Sequence, residues 1–248
     1  MTLSRMELAR LFRTPRWAGL AAAYALFGLL GPIVTRYQEA LFRNVGGGIR
    51  IEAPAPTPSA AITSFVGNAS QVGLIVTIFI AAGSLAFDAH PEWSAFLRTR
   101  VPVERVLFPK FGINAVASAM CFGLATIVAW VATTMLIDPL PAGAMLGGIG
   151  CWTLYLTFVV SVVALAAGMV RGVVGVAGLT VVALLVLPLI GELVPGVKPW
   201  LPSTLVGSLV ELVDGASLES FARAAITAGC GAALCLAISA RLLARREV

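Results

Sequence analysis

Few residues of this chain are equipped for chemistry, and their spacing narrows what they could do. The single histidine, His90, stands beside Pro91. One imidazole cannot supply the pair that a transmembrane haem or a histidine-based metal site wants, and the H-E-x-x-H pattern of a metalloprotease does not occur. A serine–histidine dyad inside an apolar segment, as an intramembrane serine protease needs, is equally missing. Cys121, Cys151, Cys230 and Cys235 all fall in apolar stretches without a C-x-x-C pair, so they read as small buried hydrophobes. Gly46-Gly47-Gly48 precedes Ile49-Arg50, not the Lys-Ser/Thr that completes a phosphate-binding loop, and no Walker sequence appears anywhere. No catalytic residue and no metal ligand set is therefore expected.

Two polar groupings remain. Ser64, Asn68 and Gln71 are spaced three and four apart, which puts them on one face of a helix. Amides inside a bilayer must face protein or water, so Asn68 and Gln71 read either as the lining of a pathway or as interhelical hydrogen-bond glue. The second grouping is the charged stretch Asp88–Lys110. Pro91 suits the first position of a helix. Over 91–100, Trp93, Phe96 and Leu97 share one face and Ser94, Ala95 and Arg98 the other. Pro102 restarts the chain, Val103-Glu104-Arg105 follows, and Pro109-Lys110 leads onward. A short amphipathic helix of this kind can rest at a membrane interface or present a knob to a partner.

The elements that position these residues follow from composition. Of 248 residues, 59% are hydrophobic and only 12% are charged, about half the charged share of a soluble domain. Such a chain has the bilayer as its solvent. The stretches 17–35, 53–87, 111–137, 139–170, 172–191 and 224–240 are free of charge, and each can supply the roughly 17–25 residues that one helix needs to cross. The second opens with a proline-rich stretch, so its span is expected from about Phe65. The expectation is one all-α integral membrane domain over 1–248, with spans at about 17–35, 65–87, 111–137, 145–170, 173–192 and 223–241. The alternating ten-residue segments of a membrane β-barrel are missing.

Six spans put both termini on one side. That side holds twelve of the basic residues, from Arg5 to Arg16, Arg98 to Lys110, Arg171, and Arg241 to Arg246. The other side holds five: Arg36, Arg43, Arg50, Lys198 and Arg223. The positive-inside rule makes the first side cytoplasmic. It also accounts for the net charge of +5 without nucleic acid. The apolar run from Trp17 is too long for a signal peptide's core, so it reads as an uncleaved span ended by Gly31-Pro32.

Leu3–Arg16 gathers Leu8, Leu11 and Phe12 opposite Glu7, Arg10 and Arg13, as an N-terminal interfacial helix would. The loop 36–64 has linker composition. Gly168 and Gly172, continued by Gly175 and Gly178, read as a close-packing surface beside a tight turn at Arg171-Gly172. Glu192–Arg223 contains about ten helical residues, Leu205–Val213, capped by Ser203 or Thr204 and stopped by Gly215. They are too few to cross, so a short extracellular re-entrant or surface helix is expected.

This arrangement resembles the permease subunits of the type-2 ATP-binding cassette (ABC) family. The topological likeness covers essentially the whole chain. The likeness in residues is strongest over Glu92–Lys110, where an acidic residue, a short helix, Pro102-Val103-Glu104-Arg105 and the downstream Lys110 follow the family's order. Trp93-Ser94 replaces the family's common Gly-Thr, and the Arg-to-Lys spacing is tighter. The resemblance implies a cytoplasmic coupling helix that contacts the ATPase through Glu92, Trp93, Ser94, Arg98, Pro102 and Arg105. It implies a substrate pathway at Asn68 and Gln71 and an outer gate at Trp200, Pro202 and Ser203. The implied partners are nucleotide-binding ATPase subunits, a second copy or a homologous permease subunit, and the lipid bilayer. ATP and Mg would sit on the ATPase, with no cofactor in this chain. The importer signature is missing, so export from a bacterial-type inner membrane is the expectation, with a hydrophobic or amphipathic substrate such as a drug, peptide antibiotic or lipid.

Two alternatives stand beside it. A secondary transporter needs ionisable groups at membrane depth, and none stands in a span interior. A non-transporting scaffold or immunity protein would share the topology.

Overall fold

A computed structural model describes residues 16–45, 55–86, 103–194 and 196–245. The fold is all-helical. Its long helices are α1 (Arg16–Val45), α2 (Pro58–Leu85), α3 (Val103–Leu136), α4 (Ala142–Met169), α5 (Val173–Leu193) and α7 (Ala222–Arg245), with the short α6 (Thr204–Val213) between the last two. Among the described residues, these six long helices are apolar enough to cross a membrane. The Leu3–Arg16 segment and Pro91–Arg100, expected as interfacial and coupling helices, lie outside the described residues except for Arg16.

Neighbour contacts fix the helix directions. Gly28 of α1 lies against Ala125 of α3, so close that an added Cβ would stand 2.6 Å from the Ala125 carbonyl oxygen. Tyr24, nearer the start of α1, meets Thr77 near the end of α2. Ser239 of α7 donates to the Ala164 carbonyl of α4 at 2.6 Å. Successive long helices therefore alternate, and Arg16, Leu85, Val103, Met169, Val173 and Arg245 lie at one end of the bundle.

Several helix limits differ from the expectation. Pro32 does not end α1, which continues to Val45. Gly31 and Pro32 are buried, and Gly31 packs against Phe65 of α2. Thr35 Oγ1 donates to the Gly31 carbonyl at 2.9 Å within the same helix, and the helix runs on past the missing N–H of Pro32. The second long helix begins at Pro58, not near Phe65. Thr57 Oγ1 accepts the Ala60 N–H at 3.2 Å, and Pro58 takes the first helical position. The third starts at Val103 and runs through Pro109 without a break.

Glycines do two jobs. Gly168 packs on Leu242 of α7, an added Cβ standing 3.3 Å from its Cβ. Gly175 lies against Val170 across the turn, an added Cβ standing 2.7 Å from its Cγ1, while Gly172 and Gly178 meet no neighbour, so the expected close-packing surface exists only at Gly168 and Gly175. Gly172 instead has φ +86 and makes the tight turn into α5.

Candidate functional site

The centre of the bundle is an aromatic column. Tyr24, Phe65, Phe122 and Trp152 come from four different helices and are fully buried. Phe122 stacks on Trp152 with ring centroids 4.3 Å apart, on Phe65 at 5.7 Å, and meets Tyr24 edge-on at 5.7 Å. Such pairs contribute about 0.5–1.5 kcal/mol each beyond their contact area. The column was not read from the sequence. Its members are far apart in the chain, and aromatics are only 8% of the residues.

Around this column α2 departs from regular geometry. Ala69–Gly73 form a π-helical turn. Ala69 and Gly73 at its two ends are buried, as are Phe65 before it and Thr77 after it. Gly73 faces the ring of Tyr24 so closely that any Cβ there would collide with it. The Tyr24 hydroxyl lies 3.0 Å from Thr77 Oγ1, which donates to the Gly73 carbonyl at 2.9 Å.

The two amides expected on a pathway sit at this turn. Asn68 is half-buried and donates to the Ser64 carbonyl at 2.8 Å. Gln71 is exposed. In the 28-residue helix, Gln71 stands about 20 Å from either end and Asn68 about 15 Å from the start, at 1.5 Å per residue.

The expected outer-gate residues stand at the end of the bundle that carries α6. Trp200 ends a single 3-10 turn, Lys198–Trp200, and is exposed. Its carbonyl accepts from Thr227 Oγ1 of α7, and the Arg223 guanidinium lies 5.7 Å from its ring centroid. An aromatic ring paired with a cation suits a headgroup-level anchor. Nearby, Lys198 and Glu192 form an exposed ion pair at 2.7 Å, whose hydrogen bond and charge push the lysine above its ordinary range. Pro202 is buried, and Ser203 occupies the N-cap position of α6 without making a side-chain cap.

Helix α6 is set into the bundle. Leu205, Ser208, Leu209 and Leu212 form its buried face, at the spacing of one helical stripe. Trp152 Nε1 donates to the Val206 carbonyl at 3.0 Å. Gly148 of α4 lies directly beneath Leu209, with no room for a side chain between them. Gly215, at φ +97, closes the helix: its N–H meets the Leu212 carbonyl at 3.2 Å, and the Ala216 N–H meets Glu211 at 2.9 Å. This is a Schellman stop, which ends the short helix after ten residues.

At the opposite end, α2 and α3 are stapled together. Lys110 is 9% exposed. Its Nζ donates to the Ser84 carbonyl at 3.2 Å, and Asn114 Nδ2 donates to Ser84 Oγ at 3.0 Å and to the Lys110 carbonyl at 2.7 Å. A cation on the last carbonyls of α2 complements the negative end of that helix. Sequence reading placed Lys110 among the cytoplasmic basic residues; its burial depends on α2 lying alongside. Arg105 is exposed one turn earlier. Glu92, Trp93, Ser94, Arg98 and Pro102 lie outside the described residues.

The structure thus puts the expected residues at three levels: Arg105 at one end, Asn68 and Gln71 at mid-depth, and Trp200, Pro202 and Ser203 at the other end. It does not gather them into one site. Among the described residues no group of histidine, cysteine, aspartate and glutamate side chains could hold a metal ion. The four cysteines are free, and Cys230 is exposed on α7 rather than buried.

No protein-family model matches the chain. It is similar to the uncharacterized transmembrane protein YxlG of Bacillus subtilis (strain 168), at 21% identity over 165 residues. The match takes in 65% of this chain and 64% of that protein, so the chain spans under two thirds of its relative's length. The similarity is a distant homology, and with the six long apolar helices it makes this chain a multi-pass membrane protein.

Proposed function

We propose that the chain is the membrane-spanning permease subunit of an ABC exporter, with ATP hydrolysed by a partner subunit. The observation that carries this reading is the unlike pair of bundle ends. One end has a short helix set between α2 and α4, as a lid over the outer mouth requires. The other joins α2 and α3 through the charged segment 87–102, whose two roots are tied by Lys110 and Ser84. A pull on that segment would reach both helices together. In this reading both termini are cytoplasmic, the substrate is hydrophobic or amphipathic, and two copies assemble with two ATPase subunits. Glu92, Ser94 and Arg98 contact the ATPase, Trp93 anchors the coupling segment in the subunit, and Pro102 and Arg105 flank it.

Co-purification from native membranes tests this reading. An ATPase should accompany the tagged chain, and the chain stripped of it should hydrolyse no ATP. Glu92→Arg or Arg98→Glu should lose the ATPase while still inserting; truncating one partner of a buried charged contact costs roughly 2–5 kcal/mol. Full partner binding by both variants, or ATP hydrolysis by the stripped chain, overturns the reading.

A further inference from the structure

Helix α2 changes character at its π turn. From Ser59 to Gln71 the side chains it leaves unburied are Ser59, Thr63, Ser64, Asn68, Ser70 and Gln71, with only Ala60 and Gly67 between them. From Val72 to Ile80 every unburied side chain is a large apolar one, Val72, Ile75 and Phe79 most of all. Over about 20 Å of the first half, at 1.5 Å per residue, the free face therefore carries no apolar side chain larger than alanine. The second half can meet lipid tails. The first cannot, because polar groups at that depth must face protein or water.

The hydrogen bonds of this face choose between those two. Thr63 Oγ1 donates to the Ser59 carbonyl at 2.8 Å, Asn68 Nδ2 to the Ser64 carbonyl at 2.8 Å, and Ser70 Oγ to the Gly67 carbonyl at 2.9 Å. A hydroxyl has one proton to give. Thr63 and Ser70 thus turn only lone pairs outward, and Asn68 its carbonyl oxygen and one N–H. The same face of a second copy would set acceptors against acceptors. Water brings donors to all of them. The stripe is also continuous with the end of the helix, where Thr57 is exposed, and each following turn carries a polar group.

We infer that the first half of α2 lines a water-filled vestibule, open at the end of the bundle that carries α6 and closed at mid-depth below Gln71, whose wall takes the N–H and O–H donors of the transported molecule and not anions. No charge stands on the chain from Ala53 to Phe87, so the wall is neutral and rich in acceptors, and a phosphate or carboxylate finds little there to replace its water. This deepens the permease reading and rests on it: a second permease subunit supplies the facing wall that keeps lipid out.

Thiol labelling tests it in membrane vesicles open to reagent on both faces, with the chain's own cysteines replaced. Only the thiolate reacts, and a thiol in hydrocarbon does not ionise. Gly67 stands about 14 Å from the start of α2 and has open space for a side chain, so Gly67→Cys keeps every polar group of the wall. It should react with a water-soluble maleimide, as should Thr63→Cys one turn earlier. Ile75→Cys and Phe79→Cys, at positions as open as 47% and 46%, should not. Labelling at all four positions overturns the proposal. So does a Gly67 thiol that stays unlabelled with and without ATP, whether lipid, a second copy or another subunit covers it. At Gly67→Cys a cationic methanethiosulfonate should gain on an anionic one, each rate taken relative to a free thiol, and Asn68→Leu should shrink that gain. Equal relative rates overturn the assigned donor chemistry. Labelling of Gly67→Cys in a chain without any ATPase partner keeps the vestibule and removes the permease reading. An ATPase partner with Gly67→Cys unlabelled does the reverse.

Discussion

Helices α4 and α5 follow one another through a tight turn and look alike in composition, yet they have opposite places in the bundle. Of the most apolar window of α4, 67% is buried; of α5, 22%. Along α4 each turn meets a different neighbour: α6 at Gly148, Phe122 of α3 at Trp152, and α7 at Ala164 and Gly168. Along α5 large side chains point away from the bundle, Val174 at 76%, Leu185 at 62% and Leu193 at 80% exposure. In lipid, hydropathy reports only that a helix tolerates hydrocarbon. Small residues, shape and interhelical hydrogen bonds decide which helix becomes the hub.

The largest effect that could break this comparison is at Trp152. Trp152→Ala removes the stacking on Phe122 and the hydrogen bond to Val206, and should destabilise the detergent-solubilised protein by about 3–5 kcal/mol. Leu185→Ala on α5 should leave the thermal midpoint unchanged. Equal losses at both positions would mean that α4 is no hub.

Next comes the seat of α6. Gly148→Val should cost about 1–3 kcal/mol through overpacking against Leu209. It should also lift α6, so that a cysteine at Val206 becomes reactive to a water-soluble maleimide. Gly178→Val, which meets nothing, should do neither. Lys110→Met removes a bond from a charged donor and should cost about 1.5–3 kcal/mol, seen as a lower unfolding midpoint; Arg105→Met, exposed one turn away, should be near neutral. The smallest effect is at the π turn. Thr77→Val and Tyr24→Phe should each cost about 0.5–1.5 kcal/mol. The double variant should cost little more than either, because the two side chains share one contact. Additive losses would show that the hydroxyls act separately.

How much was legible depended on whether a feature is local. Thr57-Pro58 is a local helix start, yet a count of charges hid it, because the second charge-free stretch opens with prolines that read as linker. Gly31-Pro32 reads as a stop in isolation, but the helix runs on through it, packed against Phe65. The π turn left no signal in the sequence, since a four-residue recurrence of buried residues also runs along the regular helix α3, from Val106 to Thr126. Gln71 was legible as a polar residue on a helix, but its exposure was not. The residues expected at the coupling segment rest on order and charge along 92–105.

By itself the sequence determined the helical class, the number of long apolar helices, the short helix between the last two of them and the lack of a phosphate-binding loop. Each of these depends on runs of apolar residues, caps and motif spacing, which are properties of neighbours in the chain. Only the tertiary structure decided which apolar helix is central, where the aromatic column lies, that Lys110 is buried, and that Gln71 faces outward. The physical reason is that the bilayer satisfies every apolar surface equally. Contacts between distant residues are then chosen by shape and by the few polar groups needing partners, and neither is written in the composition of one helix.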